Sequence, residues 1–215
     1  MAFSVLAWGC QAAQTRPPPP SDLVREGARA TAIRTGNIDA DGEKEAVVAS
    51  VARASGPTGI PAPYLEVFDL RNGEWRRVFD GHGPAPPGWS GTPPEMLQGE
   101  EGFVAQSVKV VELVDFEGDR VAEIVVGIAS AGATAGPVEL WILAAAGAGG
   151  LRTAFYERTE RGGDLAVEGD RLRFSFPVYR PADPGCCPSL LETQTIGRDP
   201  TSGRIGILER DRVRL

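Results

Sequence analysis

The 215-residue sequence has a single histidine, His82, and only two lysines, Lys44 and Lys109. One histidine limits a Ser-His-Asp triad to that single residue and leaves a zinc hydrolase short of ligands, and three cysteines do not complete a zinc site without it. The chain contains no Gly-x-Ser-x-Gly elbow, no phosphate-binding P-loop, no dinucleotide fingerprint and no His-Glu-x-x-His. Paired carboxylates for glycoside hydrolysis can meet from distant strands, so abundant Asp and Glu neither support nor exclude that chemistry. No run of 18 apolar residues exists to make a transmembrane helix. No basic stripe with interleaved aromatics exists either, and the formal net charge is −7, which excludes a nucleic-acid footprint.

Glycine (27) and proline (18) are abundant, about a fifth of the chain against about an eighth in average proteins. That excess predicts many turns and few helices. Helix is expected only over Ser21–Ala30, with Ser21 as its cap. Elsewhere short apolar or alternating segments read as strands: Ala46–Ala49, Leu65–Leu70, Trp75–Phe79, Ile124–Ile128, Val138–Leu143 and Leu151–Tyr156. Asn72-Gly73 is a hairpin signal, because both residues tolerate positive φ. The valine runs at 47–48 and 125–126 suit strands buried on both faces.

The first six of these strands fall into two copies of one pattern. An acidic turn leads into an apolar strand, a small-residue loop, an amphipathic strand, a glycine turn and another strand. A third unit begins with "DLAVEGDRLRFSF", where Leu172, Phe174 and Phe176 share one face. Leu190–Ile196 and Arg204–Leu208 continue it. The expected organisation is an N-terminal segment, 1–21, and one β domain, 22–215. Its repeat units cover roughly 30–80, 104–158 and 164–215. The fold class is all-β: antiparallel, propeller-blade-like meanders in a small or incomplete β-propeller, or alternatively a β-sandwich. Between the first two units lies the Pro/Gly-rich segment 81–102, which carries Trp89. Such long loops are often functional. Trp89 there is either an aromatic surface for a ligand or a cover for a sheet edge.

The first acidic turn, "GNIDADGEKEAVV", is the most informative stretch. With Asn37 as position 1, Asp39 is 3, Asp41 is 5, Gly42 is 6, Glu43 is 7 and Glu45 is 9. Calcium loops place oxygen ligands at 1, 3 and 5, a backbone carbonyl at 7, a carboxylate at 9 or beyond, and glycine at 6 for the bend. Without a cation, like charges this close oppose folding. The second turn repeats the acids as Asp115, Glu117, Asp119 and Glu123, but its sixth position is Arg120. An arginine disfavours the bend and can stand in for the ion, so this is the weaker site.

The pattern Asn/Asp-x-Asp-x-Asp-Gly-x-x-Glu followed by "AVV" resembles the FG-GAP or VCBS type of repeat found in integrin-like propellers and secreted bacterial proteins. The resemblance covers the two repeats. It implies strands flanking a loop that holds structural Ca2+. The start, "MAFSVLAWGCQAAQTRPPPPSD", resembles the end of a bacterial lipoprotein signal peptide, which implies lipidation at Cys10. Trp8 departs from the small residue usual there, and no Lys or Arg precedes the apolar run. Pro17–Pro20 would make the following tether extended. The expected location is the cell envelope, anchored by lipid to the outer face of the cytoplasmic membrane. Cys186 and Cys187 are adjacent between Pro184 and Pro188, and in an oxidising compartment are candidates for a vicinal disulfide or for two reduced thiols.

The functional expectation is a non-enzymatic exported binding or scaffolding module with calcium-stabilised acidic loops. Alternatives are a cell-envelope enzyme acting on glycans and a purely structural envelope lipoprotein. A protein or glycan partner is expected, with membrane contact through the lipid alone.

Overall fold

A computed structural model of the chain describes residues 19–52, 63–81, 104–131, 136–146 and 150–215. Cys10, most of the proline-rich tether and Trp89 lie outside the described residues. What is described is all-β apart from one 3-10 turn, Pro20–Leu23. Three four-stranded antiparallel sheets follow one another along the chain, each strand pairing with its neighbour in sequence. The first sheet holds β1 (Ala28–Gly36), β2 (Glu45–Ala52), β3 (Pro63–Arg71) and β4 (Glu74–Asp80). The second holds β5 (Val104–Val114), β6 (Glu123–Ala131), β7 (Val138–Ala145) and β8 (Leu151–Arg158). The third holds β9 (Asp164–Glu168), β10 (Arg171–Val178), β11 (Leu190–Arg198) and β12 (Ile205–Arg214).

The helix expected over Ser21–Ala30 is not formed. Pro19 and Pro20 preset a tight turn that ends at Leu23, and Gly27 takes φ 76°. Ser21 does not cap: its hydroxyl reaches only the Asp22 carboxylate, at 3.4 Å. From Ala28 to Ala32, small apolar residues alternate with the exposed Arg29 and Thr31, and the pairing then shifts by one residue between Ala30 and Ala32. Each of the first two sheets therefore has one strand more than the sequence pattern suggested, and that strand precedes the acidic turn.

The sheets stack through their faces. Val47, Ala49, Leu65, Val67 and Phe79 of the first meet Ile124, Val126, Ile128, Trp141 and Leu143 of the second. On the other face of the second sheet, Val125, Leu140 and Ile142 meet Leu172, Phe174 and Ile196 of the third. The second sheet is thus buried on both sides, which is why its central strands are continuous apolar runs. Each fully buried Leu, Ile or Val contributes about 1.5–3 kcal/mol.

Equivalent residues of the two repeats point the same way along the stack. Ile38, Val47, Leu65 and Val67 face the next sheet in the chain, and so do Phe116, Val125, Leu140 and Ile142. The stacking is head to tail, not face to like face. All three sheets also share a one-residue bulge in the fourth strand, at Val78, Ala154 and Leu208. A bulge at that place increases the local twist of each outer strand.

The outward face of the first sheet is covered by the chain's own N-terminal segment. Leu23 and Val24 pack with Ile33 and Trp75 on Ala46, Val48 and Phe68. Arg25 reaches the buried Glu66 at 3.1 Å and lies 4.4 Å above the Tyr64 ring.

Candidate metal centre

The two acidic turns sit side by side at one end of the stack. Each joins the first two strands of its sheet, and their backbones touch. Ala122 N–H donates to Asn37 O at 2.8 Å, and Asn37 Nδ2 donates to Arg120 O at 3.2 Å. Both turns are closed the same way. Glu45 accepts the backbone N–H of Ile38, and Glu123 accepts that of Phe116 at 3.2 Å. Ile38 and Phe116 are buried, so the ninth-position carboxylate satisfies an amide that water does not reach.

The first turn is wound by its own acids. Asn37 Oδ1 accepts Ala40 N–H at 3.1 Å, Asp39 Oδ1 accepts Asp41 N–H at 3.1 Å, and Asp41 Oδ1 accepts Glu43 N–H at 2.8 Å. Gly42 takes φ 87°, the left-handed bend for which the sequence places glycine. This winding brings one carboxylate oxygen each of Asp39, Asp41 and Glu45 within 4.8 Å of one another. Asp41, Glu43 and Asp69 form a second group on the same criterion.

Asp69 was not among the residues expected from the motif. It lies on β3, one step beyond the ladder pair Ala46–Phe68, and so level with Glu45. It is 2% exposed. Arg71 binds one of its oxygens through Nε, while Oδ1 has no hydrogen-bond partner in the protein. Glu45 is equally buried, and its Oε1 is likewise unpartnered. A signal for Asp69 existed in the sequence: Leu65, Val67 and Asp69 alternate onto the inward face, so an aspartate there is buried or liganded. In the second sheet the equivalent residue is Ala144.

The electrostatics follow from this crowding. Burial, together with the charges of Asp39, Asp41 and Asp69, pushes the Glu45 carboxyl up to about 7, against the pull of its bond from Ile38. Burial also raises Asp39, aided by Asp41 and Asp69. Burial pushes Glu123 up to about 7, with Glu117 and Asp119 adding to it.

The second turn is arranged differently. Asp115 spends its carboxylate on the backbone, accepting N–H from Gly118 at 2.6 Å, Asp119 at 3.2 Å and Arg120 at 2.9 Å. Arg120 keeps the bend, at φ 72°, but its side chain is exposed. It forms no ion pair with Asp115, Glu117, Asp119 or Glu123 among the described residues. Arg198 of the third sheet instead approaches Glu117, 3.9 Å from its carboxylate. Among the described residues, only the first turn supplies three clustered carboxylates.

Two other places bear on the sequence reading. Cys186 and Cys187 are exposed free thiols with sulfurs 2.8 Å apart. A cleft of about 260 Å³ lies beside β8 and the third sheet, with Tyr179, Glu192, Gln194 and Arg212 in its lining. There Glu192 is buried, yet the Gln194 amide at 2.8 Å and the Arg212 guanidinium at 2.7 Å hold its carboxyl below the ordinary value. It is an ion-paired floor and not a poised acid.

No family model matches the chain, and no curated protein is similar to it in sequence. The resemblance to FG-GAP and VCBS repeats rests on the residues of the acidic turns alone.

Proposed function

We propose that this chain is a non-enzymatic, exported binding or scaffolding module whose first acidic turn is locked by Ca2+. Asp39, Asp41 and Glu45 supply side-chain oxygens, Glu43 closes the loop, and Asn37 ties it to the second turn. The observation that carries this reading is the pair of buried carboxylates, Glu45 and Asp69, which belong to one acidic corner and each keep an unpartnered oxygen. Burying such groups without a counter-charge is costly, and a hard cation removes that cost. The head-to-tail stacking and the shared bulge favour propeller-like blades over a sandwich. In this reading Cys10 carries the lipid, the proline tether spaces the sheets from the membrane, and the exposed blade edges meet a protein or glycan partner.

Thermal unfolding in calcium and in EDTA tests the reading. Calcium at a hundred times its Kd should stabilise the fold by about 2.7 kcal/mol. Asp39→Ala/Asp41→Ala should abolish that response. Coincident curves for the unaltered chain in calcium and in EDTA would overturn it.

A further inference from the structure

We propose that the acidic corner holds two divalent cations, bridged by Asp41, and not one. This rests on the calcium reading above and goes beyond the single ion that the turn motif implies. Two overlapping triads carry it: Asp39, Asp41 and Glu45 form one, and Asp41, Glu43 and Asp69 the other. Asp41 is the only residue they share. Each triad contains one carboxylate that is 2% exposed and keeps an unpartnered oxygen, Glu45 Oε1 in the first and Asp69 Oδ1 in the second. The orphaned acceptors are therefore divided between the two positions.

Charge points the same way. Among the described residues, five carboxylates meet here with one guanidinium, that of Arg71. Two divalent ions neutralise their formal charge, whereas one leaves half of it uncompensated at a partly buried place. Asp41 is exposed and has one oxygen engaged by Glu43 N–H, which leaves the other free to bridge. Arg71 holds Oδ2 of Asp69, the oxygen other than the unpartnered Oδ1, as groups behind a metal ligand commonly do. The repeat supplies an internal contrast. Where the second sheet has Ala144 in place of Asp69, the adjoining turn satisfies Asp115 with backbone N–H groups and gathers no triad.

The test is the stoichiometry of calcium bound to the full chain, measured by equilibrium dialysis and by native mass spectrometry. Two ions per chain are expected. Asp69→Asn should bind one, Asp39→Asn one, and Asp41→Asn none with appreciable affinity. Asp115→Asn/Asp119→Asn should still bind two. Far-UV circular dichroism of each variant establishes that it folds, and unaltered chain loaded with terbium in place of calcium gives an independent ion count. One ion on the unaltered chain would overturn the two-ion proposal and leave the calcium reading standing. No ion would overturn both. Two ions retained by Asp69→Asn, or one lost in Asp115→Asn/Asp119→Asn, would place the second ion outside this corner and overturn the proposal.

Discussion

Arg120 stands where Gly42 stands, one sheet further along the chain, and takes the same left-handed backbone: φ is 72° at the arginine and 87° at the glycine. The bend is thus a property of the turn's hydrogen bonds and not of its glycine. Asp115 holds it in the second turn by accepting three successive N–H groups. The arginine nevertheless bears the cost of a Cβ in the left-handed region, about 1–2 kcal/mol. Arg120→Gly should remove that strain, offset in part by the greater freedom of an unfolded glycine. A net gain of about 1 kcal/mol is expected, a rise in Tm of roughly 2–4 °C for a domain of this size. An unchanged or lower Tm would mean that the Arg120 side chain makes a contribution its exposure does not suggest.

The strands that sequence reading located are those whose side chains answer to one rule. Continuous apolar runs at β2 and β6 reflect burial on two faces, and Asn72-Gly73 takes the positive φ values, 54° and 80°, that its hairpin requires. The strands it passed over obey two rules at once. In β5 the pairing slips between Ala105 and Ser107 and again between Val108 and Val110, so bulges break the alternation that would have marked it. In β1 the small alanines gave no strong apolar signal, and a serine ahead of them looked like a helix cap. The motif marked Asp39, Asp41 and Glu45 because the winding of one short segment clusters them, whereas Glu43 joins a cluster only through Asp69. Asp69 was out of its reach because its place beside Glu45 is set by the pairing of β2 with β3.

Glu123 predicts a pH dependence with a definite sign. Burial raises its folded-state carboxyl to about 7, above the ordinary 4.5 of the unfolded chain. The neutral form is therefore the one the fold prefers. That contribution is fully present below the unfolded value and is lost as pH rises through about 7. With calcium saturating, so that the first turn is held constant, stability should fall between about pH 5 and pH 8. Glu123→Gln keeps an acceptor for Phe116 N–H and cannot ionise. It should flatten this fall and exceed the unaltered chain at pH 8 by an amount on the order of 1–3 kcal/mol. Parallel pH profiles for the two proteins would show that Glu123 is not the titrating group.

Arg25 fastens the segment that covers the outward face of the first sheet. Its guanidinium binds Glu66 and Asp80 and lies on Tyr64, while Arg77 binds the same Glu66 oxygen, Oε1, at 2.8 Å. Glu66 is 1% exposed, so losing one of two partners leaves its charge poorly matched. Arg25→Ala should cost about 1–3 kcal/mol, less than the full penalty of an orphaned buried charge because Arg77 remains. Arg25→Met/Glu66→Gln, which keeps the stem packing and removes the charge, should recover part of the loss. Limited proteolysis gives the spatial readout. Cleavage between Leu23 and Ala28 should accelerate in Arg25→Ala, and uniform cleavage across the chain would contradict a local fastening.

Asp69 and its counterpart Ala144 predict a reversal of sign that separates a metal ligand from an ordinary buried acid. In EDTA, Asp69 adds a charge beside Asp39 and Glu45 and raises the cost of ionising both. Asp69→Ala gives the first sheet the residue that the second already has. Arg71 loses a partner but remains nearly half exposed, so it can turn to water. In EDTA the variant should therefore be more stable than the unaltered chain, by about 1 kcal/mol. In saturating calcium the ranking should invert, because the unaltered chain gains the binding energy of an ion that the variant holds weakly or not at all. Paired melting curves in the two buffers measure both arms. If Asp69→Ala were less stable in EDTA as well, the Asp69–Arg71 pair would be a structural clamp in its own right. The unpartnered Oδ1 would then carry no message about a cation.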